Sequence, residues 1–136
     1  MKSKFTLSIL LLITCLTAFS QEKQGSPAVE EKGLIKVSIM YPYAEGKTFK
    51  VEYYETKHMP MVAKFLGSNL VKYTIEKGVA SGIPNTPLPY MAIGSFYVKD
   101  FAAYQAAIGP NIAAIRSDFP NYTNIAPVIL VSEMVR

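Results

Sequence analysis

The chain has 136 residues, with 14 Lys and Arg against 10 Asp and Glu, a formal net charge of +4, one histidine and one cysteine. No basic run interleaved with aromatic residues occurs, which argues against a nucleic-acid partner, and a single histidine without a cysteine cluster argues against a zinc site. No G-x-G-x-x-G pattern follows a strand, which argues against a nicotinamide Rossmann site, and any enzyme here is expected to work without a tightly bound cofactor.

Lys2 and Lys4 precede an apolar run from Leu7 to Leu16, and Ala18-Phe19-Ser20 follows. This charged, apolar, small-residue order reads as a signal peptide over residues 1–20, cut before Gln21, and predicts export to the periplasm or the medium. The run is too short to span a membrane as a mature helix. Leu12-Ile13-Thr14-Cys15 offers an alternative, an acylated lipoprotein cysteine, although Thr14 stands where that motif wants Gly, Ala or Ser. With Lys2 and Lys4 removed, 12 cationic side chains (14 less 2) face 10 acidic ones, or +2. Either cut leaves no cysteine for a disulfide, so packing alone must hold the domain together. Residues 21–33 are polar, contain Gly25, Ser26 and Pro27, and read as a linker. Residues 34–136 remain for one domain of about 100 residues with one core.

Leu34–Tyr41 alternates, with Ile35, Val37, Ile39 and Tyr41 on one side and Lys36 and Ser38 on the other, which is the pattern of a half-buried strand ending at Pro42. Phe49–Gly67 then reads as an amphipathic helix. At about 100° per residue, Val51, Tyr54, His58, Met61, Val62 and Phe65 share one face, with Thr48 as N-cap and Gly67 closing the C-terminus. His58, the sole histidine, therefore lies on the face that should bury, one turn after Tyr54. Pro60 has no backbone N–H and crowds Thr56, so a kink or broken turn is expected around Lys57–Met59.

Leu70–Gly78 alternates again, and the stretch from Ser81 to Pro87 is a loop by composition. Tyr90–Val98 is apolar on both faces and reads as a central strand, in which Gly94 leaves room for a ligand or a neighbouring backbone. Asp100 is a candidate N-cap for a helix carrying Phe101, Tyr104, Ala107 and Ile108. Gly109-Pro110 interrupts it, Asn111–Asp118 adds a second helical segment, and Pro120-Asn121 marks a turn before a last strand over Ala126–Val135.

The resulting order, β-α-β-β-α-β, predicts an α+β, ferredoxin-like domain, a four-stranded antiparallel sheet with both helices on one face. Three of its strands carry apolar residues on both sides, so two subunits are expected to pack sheet against sheet as a homodimer, the alternative being a monomer with a solvated second face.

Phe49-x3-Tyr53-Tyr54-x3-His58-Met59-Pro60 resembles the Y-Y-x3-H-x-P signature of EthD-type proteins, members of the dimeric α+β barrel superfamily. Tyr90–Gly94, Phe101–Pro110 and Pro120–Asn124 are similar as well, and the resemblance covers Leu34 to Arg136. It implies a dimeric α+β barrel. EthD proteins are linked to ether degradation and are commonly labelled reductases or oxidoreductases. Fungal relatives act as dehydratases or decarboxylases, and related barrels include cofactor-free monooxygenases and cyclases. The leader segment departs from the family, which is mostly cytoplasmic.

A cleft between the main helix and the sheet, lined by Tyr, Phe and Met, suits a small apolar or aromatic molecule. There His58 is the candidate acid–base group, able to titrate near neutral pH. Tyr54 is the candidate for orienting His58 or binding a substrate oxygen, and Tyr41 adds a second hydroxyl. Phe65, Gly94 and Phe96 complete the candidate substrate-binding surface. Glu52 and Glu55 fall on the solvated flank, so the sequence reveals no acid–base partner for His58. That favours the alternative, a non-catalytic ligand-binding or accessory protein of the cell envelope, in which a lone histidine on an apolar face is simply a satisfied core residue.

Overall fold

The computed structural model describes residues 30–136; the expected signal peptide, the lipidation alternative at Cys15 and residues 21–29 of the expected linker lie outside the described residues. Four strands form one antiparallel sheet in the order β2-β3-β1-β4: β1 is Ile35–Pro42, β2 Leu70–Lys77, β3 Tyr90–Val98 and β4 Val128–Glu133. This is the ferredoxin-like arrangement that the element order predicts. β3 keeps its expected bounds, whereas β4 is shorter than Ala126–Val135.

The register follows the alternation, because residues directly opposite each other share a face. Val37, Ile39 and Tyr41 of β1 oppose Phe96, Gly94 and Ala92 of β3, and Val37 and Ile39 also oppose Val131 and Ile129 of β4. This face meets the helices, and its buried members Tyr41, Ala92, Phe96 and Val98 join Tyr54, Met59, Val62, Leu66, Ile115 and Tyr122 in the core. The other face is less apolar than expected. At its centre Ser38 and Ser95 place their hydroxyls 3.2 Å apart, and Lys36 and Lys72 lie over the Tyr97 ring at 5.4 and 4.6 Å. Exposed apolar side chains gather instead on the edge strand β4, where Val128, Ile129, Leu130 and Val131 are 42–60% exposed.

The first helical stretch comprises α1 (Val51–Tyr53), a π-helical turn (Tyr54–His58) and α2 (Met59–Leu66). Its N-cap is Lys50 rather than the expected Thr48. Thr48 is instead tied to the far end of the domain, its N–H donating to Asn124 Oδ1 at 2.9 Å and its carbonyl accepting from Thr123 Oγ1 at 2.8 Å. The disruption expected from Pro60 takes the form of the π turn. The Met59 N–H reaches back five residues to the Tyr54 carbonyl, so the wider turn precedes the residue that has no donor. Thr56 Oγ1 donates to the Glu52 carbonyl at 2.7 Å, satisfying an acceptor in the disrupted ladder.

The inserted residue rotates everything downstream by one position. The buried set becomes Tyr54, His58, Met59, Val62 and Leu66, while Met61 and Phe65 are only half-buried at the core margin. Gly67 ends the stretch at φ +52°, as its position suggests.

Asp100 caps α3 (Phe101–Ile108), its carboxylate accepting from the Ala103 N–H at 2.7 Å. Gly109–Asn111 forms a 3-10 turn, and α4 (Ile112–Tyr122) follows. The expected turn at Pro120-Asn121 is not there, because α4 continues through Pro120 to Tyr122. No helix among the described residues is long and apolar enough to cross a membrane.

Candidate active site

The π turn and α4 face each other across the helical layer. Their side chains build the most polar part of an otherwise apolar core. His58, 4% exposed, stacks on Tyr54 with ring centroids 5.4 Å apart at 14°, and meets Phe119 edge-on at 5.6 Å. Its Nδ1 lies 2.8 Å from Asp118 Oδ2. The other carboxylate oxygen of Asp118 accepts from Tyr53 Oη at 2.7 Å and from Asn121 Nδ2 at 2.8 Å.

Burial alone would raise the Asp118 pKa, but the hydrogen bonds from Asn121, His58 and Tyr53 outweigh it and hold the carboxyl below its ordinary value. Asp118 is therefore an anion at neutral pH, and an anion can only accept. It follows that His58 carries its proton on Nδ1 and turns the Nε2 lone pair to Tyr122 Oη, 3.3 Å away. Tyr122 donates to that nitrogen and accepts from Tyr41 Oη at 2.9 Å. The result is a directed chain, Tyr41 to Tyr122 to His58 to Asp118.

Burial pulls the His58 pKa below its ordinary value, against the raising effect of Asp118, so the imidazole rests neutral at pH 7. Burial likewise pushes the phenols of Tyr41, Tyr54 and Tyr122 well above the ordinary tyrosine range, so none ionises unaided.

The chain ends on a cavity of about 260 Å³ between the helices and the sheet. Tyr41, Tyr54, His58, Tyr104 and Arg116 supply its polar groups, and Ile39, Val62, Phe96, Ile108, Ile115 and Phe119 are among its apolar lining. The structure thus brings together four of the residues named from the sequence: His58, Tyr54, Tyr41 and Phe96. Phe65 and Gly94 are not on the wall. Phe65 is turned aside by the π turn. The space over Gly94 holds the Tyr54 phenol, whose oxygen lies 2.0 Å from where a Cβ would stand.

Asp118 and Tyr122 escaped sequence reasoning. A signal existed, since Asp118, Asn121 and Tyr122 lie at i, i+3 and i+4 on one helix, but the turn assigned to Pro120-Asn121 hid that spacing.

Residues 47–125 match the model of the EthD domain. The chain belongs to the EthD family. The matched span contains His58, Asp118 and Tyr122, while Tyr41 precedes it. An EthD-like protein from Ralstonia eutropha JMP134 has 43% sequence identity, with 77% of this chain and 95% of that one covered, at a TM-score of 0.73. An ethyl tert-butyl ether D (EthD) family protein from Bacillus halodurans C-125 is 17% identical over 74% of this chain and 98% of its own, at a TM-score of 0.53, a likeness of fold. No curated protein matches the chain significantly.

Proposed function

We propose that this EthD protein is an acid–base enzyme acting on a small apolar or aromatic molecule held in the cavity, with His58 as the acid–base group. The supporting observation is the directed chain Tyr41–Tyr122–His58–Asp118, which opens on the cavity at Tyr41. In the base direction a substrate proton moves to Tyr41 Oη, the Tyr41 proton to Tyr122 and the Tyr122 proton to His58 Nε2. The products are a substrate anion and an imidazolium paired with Asp118, and each phenol stays neutral throughout. Running the chain backwards delivers the proton again, so the same residues suit a lyase or an isomerising step, or protonation within an oxidoreductase cycle. Tyr54, stacked on the imidazole and lining the cavity, offers its hydroxyl to a substrate oxygen. On the signal-peptide reading of residues 1–20 this chemistry takes place outside the cytoplasm.

The test is deuterium exchange into a panel of small aryl ketones and phenols. Wild type is expected to exceed His58→Gln by about 100-fold or more for the substrates it accepts. Equal rates in the two proteins would defeat the acid–base role. The second reading, ligand capture without chemistry, is favoured by one observation: both imidazole nitrogens already have partners inside the protein. Binding of panel members without any exchange would decide for it.

We further propose a homodimer in which the edge strand β4 is covered by another copy. The support is the row Val128–Val131, apolar and exposed along an edge whose outer backbone groups pair with no strand among the described residues. Light scattering at micromolar concentration is expected to give twice the chain mass, and Leu130→Lys to lower it. A stable wild-type monomer would sink the idea.

A further inference from the structure

We infer that the ligand of this cavity is a small apolar or aromatic monocarboxylate whose anionic group is held by Arg116 at the mouth. The inference rests on the small-molecule reading above and adds the ligand's charge and orientation.

Arg116 is exposed on α4, yet it contributes to the cavity wall between two neighbours on the same helix face, Ile112 four residues before and Phe119 three after. Its aliphatic stem can lie along that apolar wall while the guanidinium stays at the rim. Among the described residues, the cavity lining contains no acidic side chain. Both ion pairs among the described residues are made by others, His58 with Asp118 and Lys72 with Glu31. The acid nearest in sequence, Asp118, is two positions on, where helix side chains do not face each other, and its oxygens are taken by His58, Tyr53 and Asn121. A guanidinium is charged at every pH of interest, so among the described residues the cavity carries one fixed positive charge without an acidic partner.

The polarity of the cavity is also ordered in depth. Tyr41, Tyr54 and His58 are 0–4% exposed and form the inner end, whereas Arg116 shares the rim with Ile112 and Ile129, 38% and 60% exposed. Apart from Tyr104, the rest of the lining is apolar. A complementary ligand has a reactive or hydrogen-bonding atom at one end, an apolar body and an anion at the other. A carboxylate suits the planar guanidinium fork, which binds it through two parallel N–H···O bonds. An amine is repelled by the same charge.

The test uses titration calorimetry at about pH 7.5 with 3-phenylpropionate, 3-phenyl-1-propanol and 3-phenylpropylamine. The His58 ring resonances, from the only histidine, report entry into the cavity. Wild type is expected to bind the acid about tenfold more tightly than the alcohol, and the amine most weakly. Arg116→Gln is expected to bring the acid to the level of the alcohol while leaving the alcohol's affinity and the melting temperature unchanged. Arg116→Lys is expected to retain part of the preference. Equal binding of acid and alcohol by wild type, or a preference that survives in Arg116→Gln, overturns this inference and leaves the cavity reading intact. Absence of binding by all three probes overturns the cavity reading, and this inference with it.

Discussion

Asp118→Asn is expected to destabilise the protein by about 2–3 kcal/mol and to move the His58 titration still further below its ordinary range. Three donors point at this carboxylate, Tyr53 Oη and Asn121 Nδ2 at one oxygen and His58 Nδ1 at the other. An asparagine has one acceptor oxygen and one donor nitrogen, so one side of the network must meet a donor. If the amide oxygen keeps Tyr53 and Asn121, the amide nitrogen faces His58 and drives its proton from Nδ1 to Nε2. That tautomer would then donate to Tyr122 and reverse the relay.

The pH dependence follows from the direction of each shift. His58 has a folded pKa below its unfolded value of 6.5, so the unfolded chain binds more protons in between. The corresponding stability is complete above that value and is lost as the pH falls towards the folded pKa. Removing the Asp118 charge leaves burial unopposed, lowers the folded pKa further and widens that window downwards. Asp118 is itself depressed below 3.8, so wild type loses its contribution as the pH falls below that value, a loss the variant lacks. NMR titration of the imidazole, with melting curves between about pH 3 and 8, reads both effects. An unchanged His58 titration in Asp118→Asn would show that the carboxylate is not the imidazole's partner in solution.

Gly94→Ala is expected to cost about 1–3 kcal/mol and to displace Tyr54. The added Cβ would stand 2.0 Å from Tyr54 Oη, 2.9 Å from Cζ and 3.1 Å from Cε1, so the whole end of the ring must move. Gly94 lies in the middle of β3, paired on both sides with Ile39 and Ile75, and the strand has little freedom to yield. Tyr54 must therefore swing, and it carries with it the face on which His58 stacks. Tyr54→Phe removes the atom in closest conflict. The double variant Gly94→Ala/Tyr54→Phe should lose less than the sum of its parts, with only partial recovery because the ring carbons remain tight. Strict additivity of the two melting-temperature shifts would mean that Gly94 is small for some other reason.

Within single elements, the sequence by itself determined most of what matters. Alternation in Ile35–Tyr41 is a local property of a strand and set both that strand and the face carrying Tyr41, and the run Tyr90–Val98, apolar on both faces, set the central strand that holds Phe96. The Asp100 cap and the positive φ of Gly67 are equally local, as is the burial of His58 beside Tyr54.

Tertiary structure decided what those faces meet. Asp118 and Tyr122 lie 60 and 64 residues from His58, and periodicity tells which side chains point inward without telling which element lies opposite. The proline at 120 suggested a turn because it has no N–H, but α4 continues past it and so delivers Asn121 and Tyr122 to the site. The proline at 60 did announce a disruption. Whether the chain would kink, break or insert a residue depended on packing against β1 and α4, and the inserted residue placed Met59 and Leu66 in the core and left Phe65 at its margin. Gly94 shows the same division. A small residue was legible in the strand, but the Tyr54 ring that fills its space comes from a helix 40 residues earlier (94 less 54), and only the folded chain brings the two together.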